Sequence, residues 1–541
     1  MEDYQEQTSP DHMQEREGGT RKAGDDETEP LLQRRTSTTS SHGTHRLPKQ
    51  LSTRHAFAVL VSIQIGSGIF ASPAQVDGNV PSPGAALLVW ALGGLLSWAG
   101  AASFAELGAA LPLNGGTQEY LRRVYGDTMA FLMAWVYIMA VKPSSMAIQS
   151  IVIAESIGSV SSATALTGWK LKAIATSAFV SMVIVNSINT KTTMKLNESF
   201  TIVKITTVVL VVVTGLTAVI AHLINPASPI SGSKDWFTKD WFSPRHSIAE
   251  GRPIDWTSIG AWERYGHYST AIYAGLWAYD GWDNANFVAS EINDPGRALP
   301  RAIKAAMAVV LSCYELVNIA YYILLPWDTM SSNDAVAVAA AKSLLGRPAG
   351  IFITILVAIS CAGSITSNVF SVGRLTVAAA QRHYLPNFLS SRRFIPLHRR
   401  QISEPENVSN YIASENTLAP STSAVEINTT SNSPYDAPIP ANILALMVTL
   451  AYIITGSFQG LLIFVGMAEW VFYVSAVIGL LILRHTEPEL HRPYRPMLVL
   501  PIVFVIIGTL VITRSAMFAP VQSGVLAGLL VVGTLISHLR G

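Results

Sequence analysis

From His55 onward, long apolar segments alternate with short polar connections. Each apolar segment has about 20 residues or more, the length at which an α-helix crosses the hydrocarbon core of a bilayer. The pattern therefore predicts twelve membrane-spanning helices. These spans are 55–78, 84–111, 126–157, 169–188, 198–224, 266–290, 301–325, 350–379, 439–456, 460–483, 495–515 and 519–538.

Two polar segments lie outside the spans. Residues 1–54 carry 10 Asp/Glu and 8 Lys/Arg and few aromatic residues, which predicts a disordered cytoplasmic tail. Residues 382–438 are polar and interrupted by proline, which predicts a flexible cytoplasmic loop. The predicted organisation is therefore the tail, spans one to eight over 55–381, the loop, and spans nine to twelve over 439–541.

Positive residues predict the orientation, because Lys and Arg near span ends are retained in the cytoplasm. They follow the even-numbered spans, as at Arg122 and Arg123 after the second span and Arg297 and Arg301 after the sixth. Both termini are therefore expected in the cytoplasm, and the long connection at 225–265 is expected outside.

Composition excludes several classes of protein. Only 13% of the residues are charged, against about one quarter in soluble proteins, and mean hydropathy is +0.35. The formal net charge of +1 does not favour nucleic-acid binding. Cys313 and Cys361 lie in apolar segments without a Cys/His cluster, so neither a metal nor a cofactor is expected. No span carries a nucleophile with a base at catalytic spacing, which argues against an enzyme.

Two spans contain an interruption of the helical pattern. The first has Gly66-Ser67-Gly68 near its middle, and the sixth has Asp280-Gly281-Trp282-Asp283. Glycine weakens a helix, and unwound backbone survives at membrane depth only where it lines a cavity or is buried in protein. An ionisable group at mid-bilayer costs about 2.5–3.5 kcal/mol, so Asp280 and Asp283 must face a cavity or a partner.

The two interruptions fall at corresponding positions of two five-span halves. They predict an all-α integral membrane protein with twelve transmembrane helices, a 5+5 inverted repeat and discontinuous helices one and six. In this architecture, half-helix N-termini bind a substrate carboxylate, and freed carbonyl groups bind a cation or an ammonium group. The expected ligand is therefore zwitterionic.

Five motifs occur along the chain in an order typical of one family. They are Ile65-Gly66-Ser67-Gly68-Ile69-Phe70, Ser82-Pro83-Gly84, Lys142-Pro143-Ser144-Ser145, Gly275-Leu276-Trp277-Ala278-Tyr279-Asp280-Gly281-Trp282 and Leu299-Pro300-Arg301-Ala302-Ile303. Through them the chain resembles the L-type amino acid transporter family of the APC superfamily, and most of all its fungal methionine permeases. The resemblance implies the APC fold, which is LeuT-like, and an alternating-access carrier. Residues 158–168 contain no cysteine, so a covalent heavy-chain partner is not supported.

The resemblance also implies a substrate site at the two interruptions. The amide groups of Ser67, Gly68 and Ile69 are where the family binds the substrate carboxylate. Carbonyl groups of both interrupted spans are expected to accept hydrogen bonds from the substrate ammonium. The complete candidate set is Gln64, Ile65, Gly66, Ser67, Gly68, Ile69, Trp277, Ala278, Tyr279, Asp280 and Asp283.

Two side chains of the sixth span have alternative roles. Trp277 matches the family's aromatic gate over the substrate, and its alternative role is packing. Asp280 matches an acid in relatives that take cystine or dibasic amino acids, and in methionine permeases. It has three open roles, which are to pair with a cationic substrate, to relay a proton, or to be held protonated by burial. Asp283 is expected to support Asp280.

Two lysines lie within apolar spans. Lys204, in the fifth span, matches the position where proton-coupled relatives carry a lysine instead of a bound sodium ion, and it is expected to tie the first span to the eighth. Its alternative is to extend toward the cytoplasmic headgroups. Lys142, in the third span, is expected to pair with an acid. The candidate partners are Glu106, Glu155, Glu315 and Glu469.

The N-terminal tail carries short motifs for trafficking. Residues 27–32 fit an acidic dileucine sorting signal, and residues 34–37 fit a basic-directed phosphorylation site. Lys22 and Lys49 are candidate attachment sites for ubiquitin. The expected location is the plasma membrane, with a vacuolar or endosomal membrane as the alternative.

The function predicted from the sequence is secondary active transport across the bilayer, as proton-coupled uptake of a neutral amino acid such as methionine. One alternative is exchange of cationic amino acids or cystine, which Asp280 favours. A second alternative, from another class, is an amino-acid sensing receptor built on a carrier fold.

Overall fold

The computed structural model describes residues 51–113, 115–161, 168–188, 190–226, 228, 230–249, 251–332, 335–390 and 437–540. Residues 1–50 of the predicted disordered tail lie outside the described residues. Residues 391–436 of the predicted flexible loop also lie outside them. The first helix begins at Thr53, so the last two residues of the predicted tail are helical.

Helices dominate the described residues. The first half contains α1 (Thr53–Gln64), α2 (Gly68–Gly78), α3 (Pro83–Ala110), α4 (Thr117–Tyr125), α5 (Asp127–Val136), a π-helical turn (Tyr137–Val141), α6 (Lys142–Ser161), α7 (Trp169–Ile188) and α8 (Thr190–Ile224). The connection that follows contains α9 (Asp235–Thr238) and an antiparallel hairpin of β1 (Ser247–Ala249) and β2 (Arg252–Ile254). The remaining elements are α10 (Ala261–Ala278), a 3₁₀-helix (Asn284–Glu291), α11 (Pro295–Leu324), α12 (Trp327–Met330), α13 (Val336–Gln381), a second 3₁₀-helix (Asn387–Ser390), α14 (Ile439–Thr455), α15 (Phe458–Thr486), α16 (Val499–Phe518) and α17 (Pro520–Arg540).

Each predicted span coincides with a helix or a broken helix of the described chain. Nine described helices are long and apolar enough to cross a membrane, and the pair α1–α2, which bends by 41°, makes a tenth. The other two predicted spans are α10 and the short α14. α10 is less apolar because its first half carries Glu263, Arg264 and His267. The predicted multi-pass helical fold is confirmed.

Helices at corresponding positions of the two five-span halves pack against each other. α2 packs on α10, α3 packs on α11, and α6 packs on α13. α1 packs on α8, α11 and α13. This pairing agrees with an inverted repeat of α1–α8 and α10–α15. It also places the interruptions of both broken spans in the buried interior.

Both predicted interruptions are present. α1 leaves helical geometry at Ile65, where ψ is 73°, and α2 begins at Gly68. α10 ends at Ala278, and Gly281 adopts a φ of +105°. A Cβ at Gly281 would lie 2.3 Å from Ile63 Cγ2, so glycine also permits the close approach of the two broken spans.

The second half of span six is a 3₁₀-helix rather than an α-helix. Asn284 Nδ2 donates to Gly281 O at 3.1 Å and to Asp283 Oδ1 at 2.9 Å. Side-chain bonds of this kind compete with helical backbone pairing. They stabilise the turn that follows the interruption.

Buried ion pairs connect helices that are distant in sequence. Lys142 on α6 binds Glu469 on α15 at 3.0 Å, and the two side chains are 1% and 3% exposed. Glu469 is thus the acidic partner that the sequence left open among four candidates. Glu106 of α3 is buried and binds both Arg484 and Arg492. These pairs hold α15 and the connection after it against α3 and α6.

The long connection after α8 is folded onto the end of α2. Arg245 binds the buried carboxylate of Asp77, and its Nη1 donates to Trp327 O at 2.9 Å. Ser247 Oγ donates to Gly78 O at 2.8 Å. The connection therefore covers the end of the first broken span.

We expect Lys142→Met to lower the stability of the protein by about 3–5 kcal/mol, because the Glu469 carboxylate would stay buried without its cation. The measurement is thermal unfolding of the purified protein in detergent. A combined Lys142→Met and Glu469→Gln variant should recover part of this loss.

The matched control is Arg123→Met, which removes the exposed pair of Arg123 and Glu487. Exposed pairs contribute little, so its unfolding temperature should stay close to that of the wild type. Equal losses for Lys142→Met and Arg123→Met would contradict the structural role of the buried pair.

Candidate substrate-binding site

A small cavity lies where the two broken spans meet α6 and α13. Seven residues of the predicted set line it, namely Gln64, Gly66, Ser67, Gly68, Trp277, Ala278 and Asp280. Four lining residues were missed by sequence reasoning as site residues, namely Ile63, Ser145, Gln149 and Asn368. The predicted residues Ile65, Ile69, Tyr279 and Asp283 are buried near the interruptions but are not part of the cavity lining.

The N-terminus of α2 opens onto this cavity. Ser67 precedes the helix and its side chain does not cap it. The first amide groups of a helix have no acceptor within that helix, and they carry its positive dipole end. The buried Ser67 Oγ also has no hydrogen-bond partner among the described residues. This combination of donors suits a carboxylate.

Carbonyl groups freed by the interruptions are held by protein donors. The Tyr314 hydroxyl of α11 lies within hydrogen-bond distance of Gln64 O and, at 3.1 Å, of Ala278 O. Ser360 Oγ of α13 donates to Ile65 O at 3.2 Å. A carbonyl oxygen has two acceptor sites, so Ile65 O and Ala278 O each keep capacity for a substrate ammonium. Gln64 O also accepts from Gly66 N at 2.7 Å, so both of its sites are used. Tyr314 thus bridges the two broken spans, which no sequence signal indicated.

Gln64 connects the interruptions through its side chain. Its Nε2 donates to Tyr279 O at 3.1 Å, and its Oε1 has no partner among the described residues. The Tyr279 ring packs against Tyr314 with centroids 4.9 Å apart. Tyr279 therefore contributes a backbone acceptor and packing, whereas Trp277, which is 8% exposed, lines the cavity.

Asp280 places a carboxyl group at the cavity. Its Oδ1 accepts a hydrogen bond from Tyr473 OH of α15 at 2.8 Å. Asp283 is fully buried and accepts from Asn284 Nδ2, so it stabilises the turn beside Asp280. Of the two predicted acids, Asp280 alone is among the residues that line this cavity.

Lys204 lies beneath the first interruption and is fully buried. Its Nζ donates to Ser62 O of α1 and, at 2.8 Å, to Ser364 Oγ of α13. Ser364 Oγ in turn donates to Ser62 O at 2.7 Å. Lys204 therefore ties span five to spans one and eight, and it does not extend toward the headgroups.

Comparisons with known sequences agree with a helical fold that has two broken spans. The family described as amino acid permease matches residues 51–536. The chain belongs to the amino acid permease family.

Sequence similarity to known transporters covers most of the permease. It is 28% identical to b(0,+)-type amino acid transporter 1 of Mus musculus, over 94% of this chain and 92% of the relative. It is 28% identical to the cystine/glutamate transporter of Homo sapiens, over 89% and 83%. It is 25% identical to large neutral amino acids transporter small subunit 2 of Mus musculus, over 92% and 82%. The predicted membership of the L-type family is confirmed, and these relatives are named as transporters rather than enzymes.

We expect Gly68→Ala to reduce amino acid uptake by the permease on the order of tenfold or more, because small displacements at a binding site cost large factors in rate. A Cβ at Gly68 would lie 2.7 Å from Ala278 Cα, so the two broken spans would be forced apart. The measurement is uptake into proteoliposomes at matched protein content.

Gly93→Ala is the matched control, since a Cβ at Gly93 meets its nearest neighbour, Leu276 Cδ2, at an ordinary 3.7 Å. It should keep wild-type uptake. Wild-type uptake by Gly68→Ala would show that close contact between the two spans is not required.

Proposed function

We propose that this permease is a secondary active carrier that moves amino acids with polar or cationic side chains by alternating access. The observation that carries the proposal is the Asp280 carboxyl group at a cavity that also contains Gln149 and Asn368. Apolar side chains contribute little to this lining, mainly through Ile63 and Trp277. A polar cavity favours substrates that can pair with it, because a buried polar group without a partner is costly.

The interruptions orient the substrate in this proposal. Its carboxylate lies at the α2 amide groups and Ser67, and its ammonium lies at the carbonyl group of Ala278. The side chain then points toward Asp280, α6 and α13. Trp277 covers the substrate and excludes water.

The names of similar proteins support this substrate class. A cystine/glutamate transporter is among the relatives, and cystine has a polar side chain. Methionine uptake is the second candidate, because Trp277 and Ile63 offer apolar contact in the same cavity. Because the lining is polar, methionine, which was the leading substrate predicted from the sequence, becomes the second candidate.

Lys204 is proposed as the coupling residue for protons. Its two hydrogen-bond acceptors, Ser62 O and Ser364 Oγ, are both neutral. A neutral lysine amine still has two N–H donors, so it can keep both bonds after it loses a proton. Among the described residues of α13, the Cys361 thiol is a titratable group that interacts with Lys204. Proton movement at this position would alter the charge that joins spans one, five and eight.

We propose the plasma membrane as the location. The distribution of positive residues supports cytoplasmic termini. We further propose transport without a disulfide-linked partner, since residues 158–168 contain no cysteine. The predicted sorting, phosphorylation and ubiquitin motifs lie outside the described residues.

Uptake into proteoliposomes that contain the purified protein tests the proposal. The labelled substrates are lysine, glutamine, cystine and methionine, each with and without an inward proton gradient. Accumulation of polar or cationic substrates is the expected result. Saturable binding without accumulation would identify a sensing receptor, and preference for methionine would support the second candidate.

We expect Asp280→Asn to reduce lysine uptake by roughly 10- to 100-fold, because a hydrogen bond to a charged group contributes about 1.5–3 kcal/mol. Uptake of neutral substrates should change little. Asp255→Asn, on the exposed connection after β2, is the matched control and should leave all substrates unchanged. Equal loss for every substrate in Asp280→Asn would indicate a structural or proton role instead of selectivity.

We expect Lys204→Ala to remove the dependence of uptake on pH and on the proton gradient, while exchange of substrate across the membrane persists. Initial rates are measured between pH 5 and pH 8. Lys195→Ala, an exposed lysine on the same helix, is the control and should keep the wild-type profile. An unchanged pH profile in Lys204→Ala would refute the coupling role.

A further inference from the structure

Two amide side chains line the cavity from neighbouring helices. Gln149 lies on α6 and Asn368 lies on α13, and these helices pack against each other. Gln149 is 5% exposed and Asn368 is 2% exposed. Gln149 Oε1 and Asn368 Nδ2 have no hydrogen-bond partner among the described residues. This pair therefore adds one unpartnered acceptor and one unpartnered donor to Gln64 Oε1 and Ser67 Oγ at the cavity.

Buried polar groups in folded proteins nearly always have partners, since an unmade hydrogen bond leaves the cost of removing the group from water uncompensated. A ligand that supplies both partners removes this cost at both positions. The carboxylate and ammonium of an amino acid are accounted for by the two broken spans. The side chain is the part of the substrate that remains to meet Gln149 and Asn368.

The chemistry of the unpartnered pair selects among side-chain groups. An ammonium or guanidinium group offers donors only and leaves Asn368 Nδ2 without an acceptor. A carboxylate offers acceptors only, leaves Gln149 Oε1 without a donor, and meets the Asp280 carboxyl group at the same cavity. A thioether satisfies neither position effectively. A primary carboxamide offers both an N–H donor and a C=O acceptor.

We infer that Gln149 and Asn368 form a subsite for a primary carboxamide, so that glutamine or asparagine is a preferred substrate. The substrate N–H donates to Gln149 Oε1, and the substrate carbonyl accepts from Asn368 Nδ2. The inference rests on the proposed transport through the same cavity, and it names the side-chain group that the cavity selects.

Competition in wild-type proteoliposomes tests the subsite without any substitution. Uptake of labelled glutamine is measured against unlabelled glutamine, methionine, glutamate and lysine, which have side chains of similar length and different end groups. We expect glutamine to compete roughly tenfold or more better than methionine or glutamate, because sites built for a hydrogen bond reject analogues that lack it. Methionine that competes as well as glutamine would overturn the subsite.

Two nearly isosteric variants test whether Gln149 and Asn368 cause the preference for glutamine. Gln149→Met and Asn368→Leu remove the hydrogen-bonding atoms and keep most of the volume. Each should lower the ratio of glutamine to methionine affinity toward one. Asn442→Leu is the matched control, because Asn442 is also 2% exposed but pairs with Ser187 and is not among the residues that line the cavity. A glutamine preference that survives both variants would overturn the assignment.

Ligand-induced thermal stabilisation in detergent separates the subsite from the transport proposal. Stabilisation by glutamine without accumulation in vesicles would support the subsite and overturn transport. Accumulation of lysine or methionine without a glutamine preference would support transport and overturn the subsite.

Discussion

The absence of water from the hydrocarbon core is the constraint on which the rest of this structure depends. Backbone groups released by an interrupted helix must find partners inside the protein. Tyr314 lies within hydrogen-bond distance of both Gln64 O and Ala278 O, and Ser360 serves Ile65 O. Spans seven and eight thus hold the carbonyl side of the broken spans. The first amide groups of α2 have no acceptor within that helix, and in the proposed function the substrate carboxylate accepts from them.

Buried charge follows the same constraint. Lys142 and Glu469 join α6 to α15, and Tyr473 of α15 donates to Asp280. The helix that carries the ion pair therefore also holds the carboxyl group at the cavity. Near the interruption of the first span, Lys204 joins α8 to α1 and α13. In the proposed alternating access, movement of the broken spans exchanges these contacts, and this connects substrate binding to rearrangement of the surrounding helices.

Sequence patterns were sufficient to predict the membrane-spanning helices and the interruptions in two of them. Span length follows from bilayer thickness, and the glycine and aspartate groups mark where a helix cannot continue. The pairing of Lys142 with an acid also followed, because a buried ammonium requires a counter-charge. The choice of Glu469 over Glu106 did not follow, since candidate acids lie on several helices and only packing brings one of them to 3.0 Å.

The sequence did not predict residues whose role depends on which side of a helix faces the cavity. Gln149 and Asn368 are single polar residues in apolar spans, and nothing local distinguishes one that lines a cavity from one that packs between helices. Tyr314 likewise carries no motif. Asp280 and Asp283 are separated by one turn, but only Asp280 is among the residues that line the cavity.

The sequence by itself determined a multi-pass helical membrane protein with interruptions in its first and sixth spans, because hydrophobic length and helix-breaking residues are local properties. Tertiary structure alone decided which side chains surround the interruptions, and it therefore decided that the cavity is polar. The physical reason is that the rotation and pairing of helices depend on contacts between residues hundreds of positions apart.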